Sequence, residues 1–225
     1  MACPAVPGTR RSDGVGSKED SKIVEAMTVA LFGYFLGSLP LGFLIARARS
    51  GVDLRRVGSG NVGATNVYRS AGRTLGVLVM LVDVLKGAGS VWLARLLFSG
   101  GTEHAAAIAG LGAVVGHIYP LWLRFVGGKG VAVACGVFAV LAPVATGVAA
   151  LVFLAATSVT RYVSLGSVLA TLTLPAVEWS RSGLEPVTAV AMAAAGLILF
   201  RHRGNLVRLA RGTERRLGQR AAIGS

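Results

Sequence analysis

Long apolar runs, separated by short polar stretches rich in glycine and arginine, organise this chain. The runs lie near residues 26–46, 75–97, 105–123, 131–142, 144–159, 163–179 and 186–201. A membrane crossing usually needs roughly 20 apolar residues, so the pattern predicts about seven helices, some of them short. The fourth and fifth runs fall below that length. A single longer helix bent at Pro143 stays open beside two separate ones, and it would change the topology downstream.

Composition fixes the class. Hydrophobic residues make up 53% of the 225-residue chain and charged residues only 15%, too apolar a balance for an ordinary soluble domain of this length. The expected fold class is an all-α integral membrane protein with about seven transmembrane helices, the N-terminus outside and the C-terminus cytoplasmic. Cytoplasmic loops hold the excess of Lys and Arg, and the seven-span topology agrees with that rule. Inside loops carry Arg47, Arg49, Arg55, Arg56, Arg69 and Arg73, then Arg124 and Lys129, then Arg161. Arg181 stands alone outside, and Arg201, Arg203, Arg208, Arg211, Arg215, Arg216 and Arg220 follow the last run on the inside. The tail is the exception, because Arg10, Arg11, Lys18 and Lys22 would have to be translocated, only partly offset by Asp13, Glu19 and Asp20.

The net charge of +13 is set against membrane spans, where a basic excess reports topology rather than a nucleic-acid footprint. Nucleic acid is excluded as a partner. Membrane lipids are the expected surroundings, with anionic headgroups attracting each nearby cation by about 1 kcal/mol. Ala46-Arg47-Ala48 mimics a signal-peptidase site, but the run before it is long and further spans follow, so the first helix is retained. Cys3 in the tail and Cys135 in a span have no metal-ligand spacing and no reason to pair. No metal, redox chemistry or cofactor is called for. Residues 1–22 hold too little apolar surface to fold alone and are expected to be disordered; a transmembrane domain over 23–217 and a short tail over 218–225 complete the organisation.

Three polar constellations interrupt the apolar pattern. The first is Gly58-Ser59-Gly60-Asn61-Val62-Gly63-Ala64-Thr65-Asn66, followed by Arg69 and Arg73, in the longest polar segment between spans. Glycines let backbone N–H groups approach an anion, hydroxyls and amides add donors, and arginine offers a fork matched to phosphate oxygens. Glycines alone would mean only close helix packing. Ser59, Asn61, Thr65, Asn66 and Arg69 interleaved with them point to a phosphate site, because polar groups near membrane depth are costly unless paired or used.

The second constellation is Gly116-His117-Ile118-Tyr119-Pro120, then Arg124 and Gly127-Gly128-Lys129-Gly130 leading into an apolar run. A helix N-terminus with a lysine beside it suits a phosphate. The Walker spacing is absent, so nucleotide hydrolysis is not implied. A loop lysine obeying the positive-inside rule and a histidine satisfied at a helix end are the plain alternatives. The third constellation is Arg201-His202-Arg203-Gly204-Asn205, followed by Arg208 and Gly212-Thr213-Glu214. His202, Asn205 and Arg208 recur at helical spacing and share a face. A basic helix lying on anionic lipid explains the arginines but does not call for His202, Asn205 or Glu214. Asp83 and Lys86, three residues apart in the second run, form either a mutual ion pair or, through Lys86, a substrate contact.

The three motifs in this order, with Gly37-Ser38-Leu39-Pro40 and the Asp83/Lys86 pair, resemble one family across residues 27 to 217, the bacterial membrane acyl-phosphate:glycerol-3-phosphate acyltransferases of phospholipid synthesis. The resemblance implies seven spans with an outside N-terminus and an active site facing the cytoplasm, in the inner or plasma membrane. It implies transfer of a fatty acyl group from acyl phosphate to the sn-1 hydroxyl of glycerol 3-phosphate, giving lysophosphatidate and inorganic phosphate. A soluble enzyme would supply the acyl phosphate. Ser59 and Arg69 would be essential, Gly127 to Gly130 would bind glycerol 3-phosphate, His202 and Asn205 would be needed for activity, and Glu214 would be structural. The polar N-terminal extension has no counterpart in the family pattern.

Catalytic groups are therefore expected at Ser59, Arg69, His202 and Asn205. Substrate contacts are expected from Gly58, Gly60, Asn61, Thr65, Asn66, Lys86, His117, Gly127, Gly128, Lys129 and Gly130, with Asp83 and Glu214 structural. An acyl phosphate is already activated, so it needs positioning and charge stabilisation more than a strong base. Lys129 and Arg69 would hold phosphates while Ser59 and Asn61 donate to the oxyanion. Ser59 sits in a loop with no assigned base, which favours direct transfer over an acyl-enzyme. A phosphate-ester transporter competes with this reading, but the motifs gather on one face and no internal repeat is evident. A lipid-binding scaffold leaves the phosphate-loop chemistry unexplained.

Overall fold

The computed structural model describes residues 15–98 and 103–219. The described residues are all helical or loop: α1 (Val15–Ser38), α2 (Leu41–Ser50), α3 (Ala64–Ser70), α4 (Arg73–Leu97), α5 (Glu103–Ile118), α6 (Val131–Leu141), α7 (Pro143–Thr160), α8 (Val163–Ser182) and α9 (Pro186–Ala210), with a 3₁₀ turn at Leu121–Leu123. Four stretches are long and apolar enough to cross a bilayer: Glu19–Ser50, Arg73–Leu97, Glu103–Leu123 and Pro143–Thr160. Val131–Leu141 is a shorter apolar helix, and the apolar part of α9 stops at Phe200.

Three expectations change. α1 begins at Val15, so the segment expected to be disordered as far as residue 22 is helical from there on. That segment needs no core of its own, because extending a helix already nucleated by Ile23 to Ser38 adds one hydrogen bond per residue fixed. Residues 1–14, with Cys3, Arg10, Arg11 and Asp13, and residues 220–225 lie outside the described residues. The first apolar run is not one helix either: it breaks at Leu39-Pro40, where proline has no N–H to continue the ladder.

The alternative of one bent helix over 131–159 also gives way. Lys129, just before α6, donates to Asn205, and Ser164, just after α7, donates to Glu214, which Asn205 also contacts. The beginning of α6 and the end of α7 thus meet at one place, so the chain reverses at Ala142 between them (φ −140°, ψ 65°).

Helix packing rests on glycine. A Cβ at Gly33 or Gly37 would collide with the backbone of Ala109 or Ala113 on α5, and one at Gly112 or Gly116 with that of Ala30 or Tyr34 on α1. α4 and α6 meet the same way, Gly87 against the Val133 carbonyl and Gly136 against the Val84 carbonyl. Such approach brings backbones into dispersion contact where lipid offers no hydrophobic drive. Val114, Ile118, Val133, Val137, Phe138, Ala194 and Ile198 fill the space among α5, α6 and α9, directly beneath the polar loops.

A methyl at a glycine contact overpacks it, while one in open space does not. Gly136→Ala is expected to lower stability by about 1–3 kcal/mol. Gly147→Ala, where nothing lies within 4 Å of the new carbon, is expected to be neutral. Thermal unfolding of both variants in the same detergent checks this.

Candidate active site

The loop between α2 and α3 is folded around one side chain. Asn66, in α3 and 4% exposed, accepts the Ser59 N–H on Oδ1 at 3.1 Å. Its Nδ2 lies within donor distance of the carbonyls of Leu54 (3.2 Å), Val57 (3.0 Å) and Asn61 (2.8 Å). Asn66 was expected to contact substrate. Its polar atoms are instead spent on the backbone of the loop, as a buried carboxamide requires. Gly58 and Gly60 take φ of 68° each, the left-handed region open to glycine at no cost. This turn leaves Ser59 exposed, and its Oγ has no hydrogen-bond partner among the described residues. Thr65 is half-buried in the first turn of α3.

The second loop is pressed against the end of α5. Gly127 N–H donates to the Ile118 carbonyl at 3.2 Å and Gly128 N–H to the His117 carbonyl at 3.1 Å. A Cβ on Gly128 would collide with the His117 ring. Gly130 (φ 91°) turns the chain into α6. The Gly127 carbonyl accepts from Asn61 Nδ2 at 3.5 Å and from Arg201 Nη2 at 3.3 Å. One carbonyl of the second motif therefore joins the first motif to the third.

The third motif supplies α9 and the segment after it. His202 and Asn205 are buried, 2% and 6% exposed. Lys129 Nζ donates to Asn205 Oδ1 at 2.6 Å, Asn205 Nδ2 donates to Glu214 Oε1 at 2.8 Å, and Ser164 Oγ reaches the same oxygen at 3.1 Å. Arg208 Nε holds the other carboxylate oxygen at 2.7 Å. His202 Nδ1 lies 2.8 Å from the Ile198 carbonyl. A carbonyl can only accept, so Nδ1 carries the proton and Nε2 offers a lone pair. Arg69 Nη2 donates to the Arg215 carbonyl at 2.9 Å, bringing α3 to the same end of the molecule.

Electrostatics set this cluster apart. Burial lowers the Lys129 pKa to about 8; Glu214 pulls the other way, and Arg208, Arg69 and Arg201 add to the lowering. Lys129 is thus crowded by three arginines and offset by one carboxylate. Burial likewise lowers Arg69, with Glu214 opposing and Arg215 and Arg208 reinforcing. Burial raises Glu214, but hydrogen bonds from Asn205, Arg208 and Ser164 and the Arg208 charge outweigh it and hold the carboxyl below its ordinary value. Arg69 Nε and Arg201 Nε are buried with no protein acceptor, two guanidinium donors of the kind that phosphate oxygens satisfy.

Two further expectations look different in the structure. Sequence spacing leaves Lys86 between pairing with Asp83 and touching substrate. It pairs, with Nζ 3.4 Å from Asp83 Oδ1, 3.1 Å from His117 Nδ1 and 3.2 Å from the Leu39 carbonyl. His117 lies beneath the glycine loop, against Lys86 and Asp83. The sequence marks neither Ser164 nor the carbonyl of Arg215, and it shows Arg201 in the third motif without a role of its own. A serine opening an apolar helix was the one available signal for Ser164; the carbonyl has no sequence signature.

An apolar helical body whose polar loops gather buried and half-buried cations at one end defines an all-helical integral membrane protein. The model of the glycerol-3-phosphate acyltransferase family matches residues 27–212. A glycerol-3-phosphate acyltransferase of Myxococcus xanthus (strain DK1622) is 52% identical over 196 residues, covering 84% of this chain and 97% of the relative. One from Geobacter sulfurreducens (strain ATCC 51573 / DSM 12127 / PCA) is 41% identical over 194 residues, covering 86% and 98%. The crystal structure of PlsY (YgiH), an integral membrane glycerol 3-phosphate acyltransferase in its glycerol 3-phosphate form, superposes with a TM-score of 0.79 at 42% identity, covering 86% of this chain and 96% of that one. Its lysophosphatidic acid form gives 0.77 at 40% identity, with the same coverage. The chain belongs to the glycerol-3-phosphate acyltransferase family.

Removing the carboxylate that orders the cluster leaves Asn205 Nδ2 and Ser164 Oγ without their acceptor and Arg208 without its ion pair. Glu214→Ala is expected to lower stability by about 2 kcal/mol. Because the folded carboxyl titrates below its unfolded value, this contribution is complete above the ordinary glutamate range and fades as pH falls through the lower folded value. Denaturation midpoints of both proteins across acidic pH should converge.

Proposed function

We propose that the chain transfers a fatty acyl group from acyl phosphate to the sn-1 hydroxyl of glycerol 3-phosphate, releasing lysophosphatidate and inorganic phosphate. The observation that carries this is the cluster in which Lys129 is held through Asn205 on Glu214, Arg208 bonds the same carboxylate, Arg69 is anchored on the Arg215 carbonyl and Arg201 on that of Gly127. Two phosphorylated substrates brought together repel each other, and an excess of fixed cations screens that repulsion without reorganising during reaction. The two solved PlsY forms, one with glycerol 3-phosphate and one with lysophosphatidic acid, are compatible with a substrate and a product of this reaction.

In this scheme the hydroxyl oxygen attacks the acyl carbon. The C–O bond to phosphate breaks, and the hydroxyl proton leaves with the phosphate. Lys129, with the Gly127–Gly130 loop, holds the phosphate of glycerol 3-phosphate, and Arg69 with the loop at Gly58 and Gly60 holds that of the donor. Ser59 and Asn61 donate to the developing oxyanion. His202 Nε2 accepts from the attacking hydroxyl and orients it, and Asn205 keeps Lys129 in place. Ser59 Oγ has no base beside it, which supports direct transfer over an acyl-enzyme.

The same reading takes the chain as a seven-span protein of the inner or plasma membrane, with α6, α8 and α9 crossing beside the four stretches named above, the N-terminus outside and the site facing the cytoplasm. The basic loops support that orientation: Arg161 after α7 bonds the Leu217 carbonyl at 3.1 Å, and Arg69 bonds that of Arg215 at 2.9 Å, so they gather at one end. A site at that face can take acyl phosphate from a soluble enzyme that makes it.

Phosphate release from acyl phosphate by purified protein in lipid, measured with and without glycerol 3-phosphate, tests the reaction. Release is expected to depend on glycerol 3-phosphate and to fall at least about 100-fold in Ser59→Ala. No dependent release from folded protein, with the donor intact, overturns it. A lysine that deprotonates near pH 8 loses its pull on phosphate above that pH. Calorimetric affinity for glycerol 3-phosphate is therefore expected to decline as pH rises past about 8, and to lose that dependence in Lys129→Met.

A further inference from the structure

Beneath the Gly127–Lys129 loop lies a second polar cluster that the proposed reaction does not use. Lys86 and Asp83, with side chains only 6% and 5% exposed, stand one turn apart on α4. The three hydrogens of the Lys86 ammonium have three acceptors: Asp83 Oδ1 at 3.4 Å, His117 Nδ1 at 3.1 Å and the Leu39 carbonyl at 3.2 Å. Nothing is left on Lys86 to offer a substrate. Since Nδ1 of His117 accepts from Lys86, the ring proton sits on Nε2, and Nε2 faces the α-carbon of Gly128. The same residue holds the loop through its backbone, with Gly128 N–H on the His117 carbonyl at 3.1 Å.

An ion pair this buried incurs a desolvation cost that an apolar pair of similar size would avoid, so stability alone explains it poorly. What it accomplishes is geometric. The Leu39 carbonyl belongs to the break between α1 and α2, and Ser38 Oγ there accepts the N–H of Leu121 at 2.9 Å. Lys86 thus ties that break to the His117 ring, and the ring sets the height of Gly128 directly before Lys129.

We propose that Asp83, Lys86 and His117 form a positioning relay that fixes the Gly127–Lys129 loop and thereby governs capture of glycerol 3-phosphate. The relay rests on the reading that Lys129 binds that phosphate. Lys86 and His117 touch no substrate; they act through the loop.

The test uses the full chain in lipid nanodiscs. Lys86→Met is expected to raise the KM for glycerol 3-phosphate roughly 10- to 100-fold while kcat stays within about threefold. Without substrate, amide exchange at Gly127 and Gly128 is expected to quicken. His117→Asn, whose Oδ1 can stand where Nδ1 accepts, is expected to retain more affinity than His117→Ala. Wild-type KM with unchanged loop exchange in Lys86→Met overturns the relay, as does a fall in kcat with KM unchanged, which would place Lys86 at the reacting atoms. If Lys86→Met does not fold, Gly128→Ala probes the contact from the loop side. Its methyl meets the His117 ring, so KM should rise, and less so when combined with His117→Ala; an unchanged KM overturns the relay. Should the wild type release no phosphate in response to glycerol 3-phosphate, the proposed function fails, while the exchange measurement still decides whether Lys86 orders the loop.

Discussion

The hydrogen-bond chain from Lys129 through Asn205 to Glu214 is the constraint on which the architecture of the site depends. A half-buried lysine needs an acceptor, and a buried carboxylate needs donors. Satisfying both draws the loop before α6, the last turns of α9, the start of α8 and the segment after α9 to one point. Each link is short and each member is spoken for, which is the condition under which a buried polar network confers rigidity. The charge balance is deliberately uneven, because one carboxylate organises the cations without neutralising them.

The body that carries this network is held by a different force. Helices in lipid gain nothing from hiding apolar surface from one another, so α1 against α5 and α4 against α6 approach until backbone meets backbone. Glycines among the described residues serve two separate tasks. Gly33, Gly87 and Gly136 remove side chains from helix contacts, whereas Gly58 and Gly60 permit a left-handed turn in the first loop. Sequence composition alone does not separate these uses.

Much of the arrangement could be read from residue order, and the remainder could not for identifiable reasons. The apolar runs mark α4, α5, α7 and α8 closely, because length and hydropathy are properties of a contiguous segment. The break at Pro40 and the reversal at Ala142 depend on where the flanking helices pack, which a run of apolar letters does not encode. Helical spacing puts His202, Asn205 and Arg208 on one face, and the structure carries that face to Glu214. Asn66 shows the opposite case. A carboxamide in a glycine-rich loop looks the same in sequence whether it serves a ligand or its own backbone, and only the carbonyls of Leu54, Val57 and Asn61 around it decide. Lys86 was ambiguous for the same reason, since its partners Leu39 and His117 are 47 and 31 residues away.

The groups that complete the pocket, Glu214 and the carbonyl of Arg215, come after the last helix in chain order. During synthesis Lys129 and Arg69 are made, and the helices before α9 can pack, while these partners do not yet exist. Closure of the cluster therefore reports that α9 has packed and that the segment after it has folded back onto Lys129 and Arg69. Assembly of this protein carries its own completeness check, since a chain whose last segment has not docked has the cations but not the frame that aims them.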